Sequence, residues 1–243
     1  MFNGQNGVKQ KWGDVDMNPK SQISKDHLEV PDFYEALRKT ALEKGADDAV
    51  TIPATDVIVD PRVRFKCMIP KCYMSGSCDH CPPHGQSTAE VREIVSGFDW
   101  GVFFRVKVKS SIIASKNLHE AVETGVADKS GNLMNLGAHY ILVFTIVKII
   151  EKIARQSGSA ATGFAAGNCK DPFCHLQPVC QNLMTAKGCR NPQLSSPSME
   201  SCGMDVYTMA ARVGWDQYPI GGSCEPESVP RGSLMGLVLL RKQ

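Results

Sequence analysis

The sequence of 243 residues has little of what identifies several common classes of protein. It contains no glycine-rich phosphate loop, no nucleophile elbow and no HExxH motif, so the usual sequence signals of phosphate binding, serine hydrolysis and zinc proteolysis are missing. Neither sign of charge is in excess, because 27 basic residues face 25 acidic ones for a net charge of +2. With no dense basic run, we expect no binding of nucleic acid.

Long apolar runs are missing as well. The longest, residues 140–150, is too short to span a bilayer and is interrupted by Lys148. The first 20 residues are polar and lack the apolar stretch of a secretory signal. We therefore expect a cytoplasmic protein that does not insert into a membrane, with its thiols reduced rather than paired in disulfides. A chain of this length needs no disulfides to hold a core.

Cysteine is the residue of which the chain has an unusual amount. Of its ten cysteines, eight fall into two sets that both begin with the spacing Cys-x4-Cys-x5-Cys. The first set is Cys67, Cys72, Cys78 and Cys81, and the second is Cys169, Cys174, Cys180 and Cys189. Four thiolates brought together are what a metal centre needs. The repeated spacing therefore predicts two metal-binding loops, one for each set.

The spacing of the ligands also indicates which metal is bound. Structural zinc typically takes its ligands from two tight pairs such as Cys78-x2-Cys81, and the second set has no tight pair. A cubane iron–sulfur cluster is wider, and one of its cysteines is often followed by proline, as Cys81 is by Pro82. We therefore predict two [4Fe–4S] clusters, with zinc as the alternative cofactor.

Other potential ligands lie near the two sets. Three histidines adjoin the cysteines, namely His80, His84 and His175. Because each set already has four sulfurs, we interpret these histidines as ordinary loop residues. Cys202 falls in a predicted helix and Cys224 in a glycine-rich loop. The spacing alone leaves open whether Cys189, Cys202 or Cys224 completes the second site.

Apolar periodicity predicts an α/β fold, a layered sheet with flanking helices and two cysteine-rich metal-binding loops. We expect helices over residues 31–46, 87–98, 133–156 and 197–215, and strands over 49–60, 100–110, 160–167 and 234–243. The segment 62–67 alternates as an extended strand does. Residues 1–27 carry no apolar periodicity and are predicted to be disordered, whereas residues 28–243 form a single domain.

The two halves of this domain, 28–110 and 133–243, share an order of elements. In each, a helix ends in a glycine turn, and a strand then leads to a cysteine loop. We therefore predict an internal repeat that places both loops at the same edge of one sheet.

Several short motifs, weak singly but specific as a set, resemble those of a known family. They are Arg62-Val63-Arg64, Lys66-Cys67, Cys78-x2-Cys81-Pro82-Pro83, Ala166-Gly167, Cys189-Arg190-x-Pro192, Pro197-Ser198-Met199-Glu200 and Gly203-x-Asp205-Val206. From about residue 32 to its end, the chain resembles an uncharacterised family of predicted metal-binding proteins found mainly in anaerobic microbes. The resemblance implies an iron–sulfur or other metal-binding role in an anaerobic setting, without a settled reaction.

Electron transfer with a redox partner protein is the function that these features favour. Clusters held by four thiolates have no open iron site for a substrate. Basic residues beside the loops would tune the potential or dock an acidic partner, and these are Arg64, Lys66, Lys71, Lys170 and Arg190.

Two alternatives stay open. In an enzyme, Cys189 would not be a ligand, because its gap of eight residues breaks the rhythm, and one iron would be open to substrate or sulfide. Glu200 would then shuttle a proton, although Ser198 and Glu200 also suit a plain helix cap. The second alternative is a structural zinc site in an interaction module.

Overall fold

A computed structural model describes residues 30–114, 120, 124, 130–185, 187–220 and 224–242. The disorder predicted for residues 1–27 lies outside these ranges. The helices described are α1 (Asp32–Glu43), α2 (Pro61–Phe65), α3 (Thr88–Ser96), α4 (Ser110–Ile113), α5 (Asn132–Gln156), α6 (Lys170–Cys174), α7 (Gln181–Met184) and α8 (Val206–Arg212). The strands are β1 (Asp48–Pro53), β2 (Trp100–Lys109), β3 (Ser159–Phe164) and β4 (Arg231–Lys242), and short 3-10 helices cover Ala54–Asp56 and Pro226–Ser228.

The four strands form one antiparallel sheet in the order β1-β2-β4-β3. The inner strands β2 and β4 are apolar in consecutive positions because both faces of the sheet are covered, so that Phe103 and Phe104 enter different cores. Gly236 pairs with Phe104 across the strands, and a Cβ there would lie 2.3 Å from the Phe104 ring. Close packing of that ring therefore requires glycine at position 236.

Helices cover both faces of the sheet. One core contains apolar residues of α1 and α5, and the other contains residues of α3, α8 and the segment 199–206. The predicted α/β class, a sheet with flanking helices, is therefore confirmed. The predicted positions of α1, α3 and α5 are confirmed too, and α3 begins with a capping box between Ser87 and Glu90.

Helix α5 is long and apolar enough to cross a membrane by length and composition, with a mean hydropathy of 1.7 over its most apolar window. Its buried residues pack against the sheet, as those of a core helix do. Glu151 is among them, and it accepts a hydrogen bond from the Gly163 amide at 2.8 Å while pairing with Lys148 and Arg155. A carboxylate satisfied in this way fastens α5 to the edge strand β3.

Two predictions of secondary structure were wrong. Residues 61–65 form helix α2 instead of a strand, because Asp60 accepts a hydrogen bond from the Arg62 amide at 2.8 Å and Pro61 suits the first helical turn. The helix expected from Pro197 begins only at Val206, where the side chain of Asp205 caps it.

The segment before α8 joins two distant parts of the chain. It forms isolated β-bridges between Ala165 and Ser198 and between Val59 and Met204. These bridges connect the end of β3 to the residues that lead into α2.

The order of elements predicted for the two halves is present. Gly45 and Gly158, which follow α1 and α5, have φ angles of 107° and 81°, where glycine is favoured. However, the edge strands β1 and β3 point in opposite directions, so the loops do not leave the sheet side by side. The two loops instead contact each other through hydrogen bonds from Tyr73 to Asp171 and from Asn182 to Asp79.

Candidate metal centre

The first cysteine loop, residues 66–86, is a series of tight turns. The amide of Cys72 donates to the carbonyl of Cys67 at 3.1 Å, and that of Cys81 donates to the carbonyl of Cys78 at 3.0 Å. The second turn brings the sulfurs of Cys78 and Cys81 to 3.4 Å from each other. The pair that the sequence indicated is therefore compact, and both of its members are buried.

The second cysteine loop, residues 168–192, folds around a small cavity of about 20 Å³. Five thiols line it, from Cys78, Cys169, Cys174, Cys180 and Cys189. All four cysteines of the second set therefore come together as predicted. The fifth thiol, Cys78, belongs to the first set, so this cavity lies where the two loops meet.

Cys78 is the point of contact between the sets. Hydrogen bonds from Cys169 and then from Cys81 lower the pKa of the Cys78 thiol to about 2. Donating these hydrogen bonds raises the pKa of both Cys81 and Cys169, and burial adds to the rise. Cys78 thus joins the buried sulfurs of Cys81 and Cys169 into one group.

Cys67 and Cys72 are half-buried and do not line the five-thiol cavity. Burial, followed by the charges of Cys72 and Glu200, raises the pKa of Cys67. Burial raises the pKa of Tyr140 to about 12, and the charges of Glu200, Asp171 and Cys72 add to the rise. This part of the first set therefore adjoins Glu200 and Tyr140.

Asn191 is a functional candidate that the sequence did not indicate. Its backbone amide donates to the Cys189 sulfur at 3.3 Å, and its side-chain Nδ2 donates to the Cys174 sulfur at 3.2 Å. Ser195 adds an oxygen 3.4 Å from the Cys189 sulfur. Asparagine is common in loops, so only its position between two cysteine sulfurs distinguishes Asn191.

The remaining cysteines lie away from the cavity. Cys202 is 2% exposed and packs in the core on the α3 and α8 face, where burial raises its pKa to about 12. The Cys224 sulfur contacts the carbonyl of Pro219 at 3.8 Å. Neither residue lines the five-thiol cavity, whereas Cys189 does.

Histidine and basic residues take different places around the centre. Among the described residues that line the five-thiol cavity there is no histidine, and His84 and His175 are exposed. Lys170 and Arg190 do line the cavity. Their positive charges oppose the charge of the thiolates.

The arrangement of the thiols suits some cofactors better than others. In the part of the chain that the structure describes, no three or more His, Cys, Asp or Glu side chains are grouped closely enough to hold a single metal ion. A zinc ion needs four ligands at about 2.3 Å. An iron–sulfur cluster is likewise held by cysteine thiolates and is wider than a single ion.

Two cysteine-rich loops that meet beside an α/β sheet define a class of cysteine-ligated metal proteins. Comparison with protein families matches residues 50–240 to the family described as "Predicted metal-binding protein (DUF2284)". The chain belongs to this family of predicted metal-binding proteins. Comparisons with curated proteins and with solved structures gave no match.

Proposed function

We propose that the chain holds two [4Fe–4S] clusters and passes electrons to or from a partner redox protein in the cytoplasm of an anaerobic cell. The observation that carries this proposal is the meeting of the two cysteine sets at Cys78, which contacts Cys81 in its own loop and Cys169 in the other. Centres that adjoin in this way are close enough to exchange electrons.

Each cluster, when bound, supplies one-electron chemistry, and the protein supplies its surroundings. Phe173 lines the five-thiol cavity and packs edge-on against Phe144 of the core, at 5.2 Å between ring centroids. These rings keep water from one side of the thiols. Asn191, Lys170 and Arg190 stabilise negative charge on the sulfurs, which favours the reduced state.

The surface around the loops suits a partner protein. Large apolar side chains are exposed in both loops, with 62% of Ile69, 67% of Tyr73, 82% of Leu176 and 64% of Met184 accessible. Exposed apolar residues grouped in this way are typical of interaction sites. Because Lys66 and Lys71 are also exposed there, the partner is expected to present an acidic surface.

Metal content is the direct test of the proposal. Anaerobically purified protein is expected to be brown and to carry roughly eight irons and eight sulfides per chain, as two cubane clusters require. Iron and acid-labile sulfide are measured chemically, and electron paramagnetic resonance of the reduced protein identifies the cluster type. A colourless, iron-free preparation with stoichiometric zinc would support the zinc-binding interaction module instead.

An enzyme is the second candidate, and it depends on whether Cys189 is a ligand. The Cys189 sulfur is half-buried and already interacts with Asn191 and Ser195. Those contacts suit a thiol that is not a ligand as well as they suit a thiolate that is. Were Cys189 not to bind, and were Cys78 to bind only the first cluster, one iron of the second would be open to a substrate.

The hydrogen bond from Asn191 to Cys174 gives a further prediction. Replacing Asn191 with leucine removes the Nδ2 donor while keeping the backbone donor to Cys189. Because a donated hydrogen bond stabilises the more negative, reduced state, we expect the midpoint potential of one centre to become more negative at unchanged iron content. Potentiometric titration followed by electron paramagnetic resonance measures this potential.

Asn182 in the same loop provides the control. Its amide donates to Asp79 and to no sulfur. An Asn182→Leu variant is therefore expected to keep both potentials. Equal shifts in the two variants, or no shift in Asn191→Leu, would contradict a role for Asn191 at the sulfur.

A further inference from the structure

A second cavity, of about 290 Å³, lies beside the first cysteine loop and is not used by the function proposed above. Its walls come from α5, from the turn after β3 and from β4, and they include Tyr140, Glu200, Tyr207, Tyr218, Leu234 and Met235. The volume is almost twice the roughly 150 Å³ of a cavity that binds benzene. It accommodates an organic molecule of roughly a dozen non-hydrogen atoms on that scale.

Glu200 is the one charged residue among the described residues that line this cavity. The residue is half-buried, and burial raises the pKa of its carboxyl group, while a hydrogen bond with Ser198 opposes that rise. In the described ranges, no lysine, arginine or histidine forms an ion pair with it. A positive charge on a ligand would stabilise the ionised form of this carboxyl group against its desolvation, so the cavity favours a cationic ligand.

Arg231, which lies beside the cavity-lining Tyr218, is already paired. Arg231 lies over the ring of Tyr218 at 5.9 Å, but its guanidinium binds Asp216 at 2.6 Å and does not line the cavity. The hydroxyl of Tyr218 also donates to Asp216, at 2.8 Å. Arg231 is therefore neutralised by Asp216 and forms no ion pair with Glu200.

Aromatic rings also make this second cavity suitable for binding a cation. Tyr140, Tyr207 and Tyr218 all line the cavity, and the face of a tyrosine ring attracts ammonium groups. Gly167 fixes the place of Tyr140, since a Cβ at this glycine would lie 2.6 Å from the ring, and its φ of 70° also favours glycine. The Ala-Gly pair of the sequence motif thus holds a tyrosine in the cavity wall.

We propose that this cavity binds a small organic amine in its ammonium form. The Glu200 carboxylate pairs with the ammonium group, the tyrosine rings surround it, and Leu234 and Met235 contact its apolar body. The site adjoins the first cysteine loop, because the charge of Glu200 acts on Cys67 and that of Cys72 acts on Tyr140. Binding of the amine does not depend on which metal the cysteines hold.

Calorimetry on the purified full chain tests this proposal with three probes of similar size. They are 2-phenylethylammonium, the neutral 2-phenylethanol and the anionic 3-phenylpropanoate. The ammonium compound is expected to bind, and to bind more tightly than either of the others. Absence of binding by the ammonium compound, or equal or tighter binding of the alcohol or the carboxylate, would overturn the proposal.

Variants at the cavity identify the site. Glu200→Gln keeps the shape of the side chain and is expected to weaken ammonium binding roughly 30-fold or more, as loss of one partner of an enclosed charge pair does. Binding of the alcohol should be unaffected. Glu43→Gln, a change at an exposed residue of α1, is the matched control and should bind as the unaltered protein does.

A second variant covers the case in which Glu200→Gln does not fold. Tyr207 is 44% exposed, so Tyr207→Leu is tolerated in the fold while one aromatic ring is removed. We expect it to weaken ammonium binding about two- to fivefold, the contribution of one cation–π contact at an accessible site. Unchanged ammonium affinity in Tyr207→Leu, or in a folded Glu200→Gln variant, would place the amine elsewhere and refute the assignment.

Discussion

Replacing Cys78 with serine is expected to remove iron from both centres, whereas replacing Cys72 should affect only one. The Cys78 sulfur contacts Cys81 in the first set and Cys169 in the second, and it lines the cavity that the second set surrounds. Cys72 does not line that cavity. We therefore expect Cys72→Ser to retain about four of eight irons, and Cys78→Ser to retain markedly fewer.

A control variant separates loss of a metal ligand from loss of iron through unfolding. Cys202→Ser is the control, because Cys202 is as deeply buried as Cys78 but lies in the core on the other face of the sheet. It should keep its full complement of iron even where its thermal stability falls. Iron, sulfide and electron paramagnetic resonance are measured on all three variants after anaerobic purification. Equal iron loss in Cys72→Ser and Cys78→Ser would mean that Cys78 serves the first centre alone.

Much of this centre could be predicted from the sequence. The spacing of the cysteines placed Cys169, Cys174, Cys180 and Cys189 in one group, and the structure brings those four thiols around one cavity. Spacing is informative here because ligands within one loop are held together by the local turns of the chain. The apolar periods of α5, β2 and β4 were equally informative, since packing on the sheet requires them.

Contacts between distant segments could not be predicted from cysteine spacing or apolar periodicity. Cys78 meets the second set where hydrogen bonds join Asn182 to Asp79 and Tyr73 to Asp171, pairs that are about 100 residues apart in sequence. The bridges of Ser198 with Ala165 and of Met204 with Val59 also join segments that are far apart in sequence. Proline at position 197 is a helix-start signal, yet the segment after it forms these bridges instead. Pairing with distant segments therefore outweighs the local preference of this segment for a helix. As a result Glu200 lies in the wall of a cavity and not at the helix terminus that we expected.

The second prediction concerns Cys189, which separates an electron carrier from an enzyme. Cys189 lines the five-thiol cavity with the rest of its set, although eight residues separate it from Cys180. If it is a ligand, both clusters are closed by four thiolates, and the protein carries electrons. We expect this outcome, because four sulfurs match the first set and a thiol left beside a cluster is readily oxidised.

A Cys189→Ser variant is therefore expected to lose iron from the second centre or to show a three-iron signal in electron paramagnetic resonance, while the first centre keeps its spectrum. Ser195→Ala is the matched control, because it removes the oxygen that contacts the Cys189 sulfur but leaves every thiol in place. It should retain all of the iron. An unaltered spectrum in Cys189→Ser, or a response of the unaltered protein to cyanide or small thiolates, would indicate an open iron. The second centre would then be a catalytic site, because a cluster with a free coordination position binds substrates that a closed cluster excludes.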